Sequence, residues 1–307
     1  MYAIKTENLT KKYGDFVAVN SLNLNVKKGK IFGFLGPNGA GKTTTILMLL
    51  GIIKPTSGKA YINDIDVWEN PVEVKRITGY LPTEPGLYQT MTARDNLLFF
   101  SKLYGIPKNE SEERVRELLE LVGLEDVAKK KVGEFSTGMK KRLAIAQALI
   151  NDPEVLFLDE PTSGLDPTGV IEMRNLIRNL KKEGKTIFFS SHILSEVEEV
   201  CDTFGIISKG KLLAVGSKEE LKRELMKEKV KILVETVEPL PELMVEGTVK
   251  RISENKALIC TQKDVRKEIF RQLKGFTVLS LSLVEPTLEE VFMNLVYGGE
   301  NNDSGNR

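Results

Sequence analysis

From Tyr2 to about Gly29, apolar and polar residues alternate (IKTENLTKKYGDFVAVNSLNLNV), which predicts two or three antiparallel strands joined near Gly14 and Asp15. From Lys30 to about Gly210 the period changes. Short apolar strands (IFGFLG, ITGYL, VLFLDE, TIFFSS) alternate with helical stretches such as SEERVRELLELVG, MKKRLAIAQALI and PTGVIEMRNLIRNLKKEG. VLFLDE and TIFFSS are apolar along most of their length, as strands are when helices cover both faces of a parallel sheet. This alternation predicts an α/β core. After Gly216 a charged helical run, SKEELKRELMKEK, leads into strand-like KVKILVETV, GTVKRI and KALICT. Helical KDVRKEIFRQL, strand-like FTVLSLSLV and a last helix from Thr287 complete a small α+β unit, with a loop at Pro239 and Pro241. The end, GGENNDSGNR, has nothing to bury and is expected to be disordered.

The 307 residues suffice for one large domain or two unequal ones. With 44 Lys and Arg against 43 Asp and Glu, the formal net charge of +1 removes the electrostatic case for a nucleic-acid partner. Cys201 and Cys260 have no close spacing, so neither a disulfide framework nor a cysteine zinc site is expected. The longest nearly unbroken apolar run, Ile46 to Ile53, falls far short of the ~18 residues that span a bilayer. MYAIKTENLT has no signal-peptide core, and a soluble protein of a reducing compartment is expected.

Chemistry concentrates in a few strings. Gly36 to Thr43 read GPNGAGKT, the pattern G-x-x-x-x-G-K-[ST], directly after IFGFL and before helical TTTILMLL. Gly36, Gly39 and Gly41 let the segment Gly36-Pro37-Asn38-Gly39-Ala40-Gly41 curl so that N–H groups point inward at phosphates. The helix that follows, with Thr44 in its first turn, adds a positive dipole end. Lys42 is expected to reach the β- and γ-phosphates and Thr43 to offer its hydroxyl to Mg²⁺. In VLFLDEP two carboxylates end a strand at the edge where open α/β sheets bind ligands. Asp159 is the candidate to hold Mg²⁺ through its water shell, and Glu160 to polarise an attacking water.

Between these motifs, EFSTGMKKR (Glu134 to Arg142) opens a helix. Together the strings resemble ABC-type ATPases, whose signature motif usually reads Leu-Ser-Gly-Gly-Gln. Ser136 and Gly138 match, while Thr137 stands in place of a Gly and Met139 in place of the Gln. A Ser side chain with N–H groups at a helix N-terminus makes a second phosphate cradle. The resemblance implies three further roles. SGLD (Ser163 to Asp166) looks like the loop that crosses a dimer interface; His192 looks like the switch histidine on the γ-phosphate. Tyr13 matches the aromatic that stacks on adenine, with Phe16 the fallback if the register differs. One departure stands out: the usual Gln after ITGYLP is Thr83, followed by Glu84. Thr is too short for the same reach, so Glu84 is the candidate for Mg²⁺ or its water.

The resemblance covers Tyr2 to Gly216, and EPTLEEVFMNLV (Glu285 to Val296) is similar to the ending of export-type subunits that pair with a separate permease of the ABC-2 class. It implies a P-loop ATPase core with an N-terminal antiparallel β subdomain, a helical subdomain and a small C-terminal α+β domain. The implied bounds are 1–216 for the ATPase domain, about 83–150 for its helical subdomain, 217–297 for the accessory domain and 298–307 for the tail. The implied activity is hydrolysis of ATP with Mg²⁺, coupled to export, with Glu160, Lys42 and His192 catalytic. One phosphate loop and one signature per chain imply that two copies share two ATP sites. An integral membrane permease is the other implied partner, touched by Thr92 to Gly123 and the Pro82 to Tyr88 loop. That places the subunit in the cytoplasm, on the inner face of the membrane. A soluble ATPase of the same superfamily in DNA repair or translation is the rival class; the lack of a long heptad insertion and of a second ATPase copy counts against it. A low-turnover regulatory nucleotide-binding module is the third, opposed by the intact Lys42, Asp159, Glu160 and His192.

Overall fold

Strands β1 (Tyr2–Tyr13) and β2 (Phe16–Lys27) pair antiparallel around Gly14, whose φ of 57° suits the tight turn. With β3 (Ile31–Leu35) following, β4 (Ser57–Ile62) and β5 (Ile65–Asp66) extend the first sheet in the order β2-β1-β4-β5. The alternating pattern buries Leu22, Leu24 and Val26 on one face of β2 and leaves Asn23 and Asn25 exposed. The computed structural model describes residues 1–228 and 230–297, and its contacts divide it into two units at Val215 and Gly216. The segment expected to be a disordered tail lies outside the described residues.

In the first unit β3 joins β6 (Thr78–Leu81), β7 (Val155–Asp159), β8 (Thr186–Ser191), β9 (Thr203–Ser208) and β10 (Lys211–Gly216) in the order β10-β9-β3-β8-β7-β6. The pairs β3/β8, β3/β9, β7/β8 and β6/β7 are parallel. Every residue of β3, β7 and β8 is buried, which explains their continuous apolar runs. Phe32, Phe34, Phe157 and Phe188 form a tilted aromatic cluster within this core, with centroids 5.2 to 6.3 Å apart. Register aligns the strand ends: Leu35 lies opposite Ser191, and Asp159 opposite Ser190. The chemical residues therefore emerge together at one edge.

Helices α1 (Lys42–Leu49), α2 (Pro71–Ile77), α3 (Ala93–Leu103), α4 (Lys108–Leu121), α5 (Thr137–Ala148), α6 (Pro167–Lys182) and α7 (Leu194–Glu198) complete this unit. Thr92, Ser136 and Asp166 cap α3, α5 and α6 by accepting from backbone N–H groups of Asp95, Met139 and Gly169. At Gly33 a Cβ would lie 2.1 Å from Val197 Cγ1, so the bare glycine lets α7 seat on β3. The second unit holds α8 (Lys218–Glu228), β11 (Val230–Thr236), β12 (Thr248–Ser253), β13 (Lys256–Thr261), α9 (Arg266–Gln272), β14 (Val278–Leu283) and α10 (Leu288–Tyr297). Its antiparallel sheet runs β12-β13-β11-β14 over a core containing Ile232, Val234, Ile259 and Ile269. The α/β class read from the patterning is the class observed. Strands β4, β5, β9 and β10 carry weaker alternation and were not anticipated.

Candidate active site

The loop from Gly36 to Gly41 leaves the end of β3 and feeds α1. At Gly36 a Cβ would sit 2.3 Å from the Ile207 carbonyl oxygen, and at Gly41, with φ 106°, 2.5 Å from that of Ala18. Only glycine lets the backbone pass both points. Pro37 is half-buried, Asn38 and Gly39 are exposed, and Ala40 is buried with its N–H on the Pro37 carbonyl. The N–H groups of Gly39, Gly41, Lys42 and Thr43 donate to no acceptor among the described residues, as a cradle for an anion requires. Thr44 lies half-buried in the first turn of α1. Lys42, 6 % exposed, points its ammonium back at the carbonyls of Gly36 (2.9 Å) and Pro37 (3.2 Å). Burial pushes its pKa down, and the nearby carboxylates of Glu160 and Asp159 pull it back up. An anionic phosphate would add a closer counter-charge than Glu160, whose carboxylate lies 3.5 Å from this ammonium.

Asp159 is buried and saturated with hydroxyl donors. Its Oδ2 accepts from Thr43 (2.8 Å) and Thr83 (3.2 Å), and its Oδ1 from Ser190 (2.5 Å). Thr43 Oγ1 and the Asp159 carboxylate are hard oxygen donors that suit Mg²⁺. Among the described residues no cluster of three or more His, Cys, Asp and Glu could hold a metal, so an ion here would take phosphate oxygens or waters as its other ligands. Asp159 also helps raise the pKa of half-buried Tyr80, pushed up to about 12 chiefly by burial.

Glu160, the residue after β7, takes φ 50°, a left-handed conformation that a side chain adopts only when its surroundings hold it. Its N–H donates to the Ser190 carbonyl (3.1 Å) and its carbonyl accepts from the Lys141 ammonium (2.8 Å). The turn aims the carboxylate between two cations or potential cations: Oε1 lies 3.1 Å from His192 Nδ1 and 3.5 Å from Lys42 Nζ. Five of the expected residues, Lys42, Thr43, Asp159, Glu160 and His192, thus converge at the ends of β3, β7 and β8, and Thr83, after β6, joins them through Asp159.

Others stay apart. Ser136 caps α5 on Met139 N–H, and Ser136, Thr137 and Gly138 line a separate cleft of about 340 Å³ with Gly164, Leu165 and Asp166. Tyr13 and Phe16 face each other at the exposed tip of the β1–β2 hairpin, with the Lys11 ammonium 4.9 Å from the Tyr13 ring centroid. Glu84 is exposed and has no hydrogen bond or ion pair among the described residues, whereas Thr83 reaches Asp159. The reach is short because β6 pairs with β7 through Leu81 and Leu158, which sets the Thr83 loop beside Asp159. Replacing Thr83 by Val is therefore expected to lower kcat about two- to ten-fold at nearly constant ATP affinity, and Glu84→Ala to change neither. Steady-state ATPase assays check this, and a fall in Glu84→Ala alone would return the role to Glu84. Ser190, Lys141 and Glu196 escaped sequence reasoning. For Ser190 the signal was its place in SSH at a strand end; Lys141, inside the charged run KKR, and Glu196, inside SEVEE, carry no such sign.

The geometry is that of a P-loop nucleotide site with its metal-binding strand. A family model for the ABC transporter ATP-binding domain matches residues 19–163, and a model described as the C-terminal domain of DrrA1-3-like ATP-binding proteins matches residues 216–296. The chain is 45 % identical to the bacitracin transport ATP-binding protein BcrA of Bacillus licheniformis, over 96 % of this chain and 98 % of that one. It is 34 % identical to the linearmycin resistance ATP-binding protein LnrL of Bacillus subtilis, over 95 % and 97 %. Among solved structures, CbiO1 of Clostridium perfringens, part of an ABC transporter complex, superposes with TM-score 0.67 at 32 % identity, covering 73 % of this chain and 93 % of that one. The chain belongs to the ATP-binding subunits of ABC transporters. It binds ATP and is an ATPase whose hydrolysis is coupled to transport. Subunits of this family work with membrane permeases and typically dimerise; among the described residues no helix is long and apolar enough to cross a membrane.

Proposed function

We propose that two copies of this chain pair isologously over two ATP molecules and drive export through a separate integral membrane permease, at whose cytoplasmic face they sit. The observation that carries the reading is Glu160 held between Lys42 and His192 beside the Thr43–Asp159 pair. Glu160 then accepts a proton from, or orients, the attacking water, while Lys42 and His192 stand where charge spreads over the transferred oxygens. Mg²⁺ bound beside Thr43 and Asp159 would neutralise phosphate charge. Ser136 to Gly138, separate from this cluster and free at a surface cleft, fit a γ-phosphate held by the second copy. Tyr13 is proposed to stack on adenine. Domain bounds of 1–216, with a helical subdomain near 83–150, and 217–297 are proposed; a contact division at Val215 and Gly216 supports the boundary between the two domains. The names of the two full-length relatives support antibiotic-type compounds as the cargo class.

Shared sites give a direct test. Lys42→Ala and Ser136→Arg should each be inactive alone, yet a 1:1 mixture should recover about a quarter of wild-type ATPase. Half the dimers are then mixed, and each has one intact site of two. A mixture as inactive as its parts would mean that each chain hydrolyses ATP alone or not at all.

A further inference from the structure

Lys141 lies in the second turn of α5, the helix whose N-cap is Ser136, and only 3 % of it is exposed. A buried ammonium is costly unless several acceptors surround it. Lys141 makes two hydrogen bonds, and both go to one loop: to the Glu160 carbonyl at 2.8 Å and the Ser163 carbonyl at 2.5 Å. Burial lowers its pKa, opposed by the carboxylates of Glu160, Glu196 and Asp159 that face it. On the other side of the same loop, Thr162 donates to the buried carboxylate of Glu196 (2.5 Å), which also accepts from Ser191 (3.0 Å), the residue before His192.

Glu160 is a side-chain-bearing residue in the left-handed region, so its turn persists only while both peptide groups around it are held. Strand β8 holds the N–H through Ser190. The carbonyl accepts from the Ser163 N–H (3.2 Å) and, more closely, from the Lys141 ammonium (2.8 Å), which also donates to the Ser163 carbonyl and so grips both ends of that turn. We infer that Lys141 is a positioning residue for hydrolysis: it ties the helix that begins at Ser136 to the loop that aims Glu160 and presents Ser163. Through it, a displacement of the Ser136 end of α5 moves the Glu160 turn of the same chain. The inference rests on the role proposed for Glu160, and it adds a reason for the signature helix to carry a buried lysine in place of an apolar residue.

Lys141→Met keeps an unbranched side chain one atom shorter than lysine and removes its donors. In steady-state ATPase assays, kcat is expected to fall at least ten-fold with KM for ATP within about two-fold, the pattern of a misplaced catalytic group and an intact binding loop. Lys141→Arg, which can donate to both carbonyls, should recover at least a third of the lost turnover. Turnover of Lys141→Met within two-fold of wild type would overturn the inference, as would kcat and ATP affinity falling together. If Lys141→Met does not fold, Lys141→Gln, with one amide donor group, is read by the same split; failure of both to fold assigns the lysine to structure alone and also overturns it. Glu160→Gln run alongside separates the two readings. An active Glu160→Gln sinks the role of Glu160, whereas an inactive Glu160→Gln with an active Lys141→Met sinks only that of Lys141.

Discussion

Glu160→Gln is expected to lose at least 100-fold in ATP turnover while binding ATP with affinity within a few-fold of wild type. General-base groups contribute about 10²- to 10⁴-fold, and 100-fold corresponds to about 2.7 kcal/mol of barrier. The amide keeps the size and one acceptor oxygen of the carboxylate but loses the charge that attracts a water proton. It also loses its ionic attraction for Lys42, so that ammonium remains free to meet the phosphate. ATP that binds without being cleaved should hold two copies together. Size-exclusion chromatography with ATP should show a dimer in the variant and mostly monomer without nucleotide. Phosphate release near the wild-type rate would show that another group activates the water.

Lys42→Ala should act at an earlier stage, weakening ATP binding at least ten-fold and removing measurable turnover. Charge-assisted hydrogen bonds are worth roughly twice their neutral counterparts, and this ammonium is almost entirely withdrawn from water. Without nucleotide it rests on the Gly36 and Pro37 carbonyls with Glu160 at 3.5 Å. These are neutral or distant partners that a phosphate would replace. Because the ammonium is needed in the ground state, the loss should appear in equilibrium titration with a fluorescent ATP analogue as well as in kinetics. Thermal melting without nucleotide should shift by only a few degrees, since the two lost hydrogen bonds are offset by no longer burying an ammonium. Unchanged affinity would place the phosphates elsewhere than at Gly36–Thr43.

Much of this site was legible as strings because its parts are local. A phosphate cradle is made by one strand, one turn and one helix, so GPNGAGKT contains the glycines that pass Ile207 and Ala18 and the lysine that follows. The same holds for Asp159 and Glu160, consecutive residues at a buried strand's end. Glu84 was chosen over Thr83 by side-chain length, a sound criterion only when the distance to be spanned is known. That distance depends on β6 lying beside β7.

Residue order and hydrophobic period determined the α/β class, four of the six strands of the central sheet, the phosphate loop, the paired carboxylates and the change of character at Gly216. Each is written in a contiguous stretch where backbone propensity and burial act together. Tertiary structure decided the partners. Parallel register between β7 and β8 put Ser190 on Asp159, and the strap after β8 brought His192 to Glu160. The packing of α5 buried Lys141 against two carbonyls of a loop some twenty residues further along the chain. Such contacts have no period and no spacing in the chain, because they are set by which elements share a core and not by which residues are neighbours.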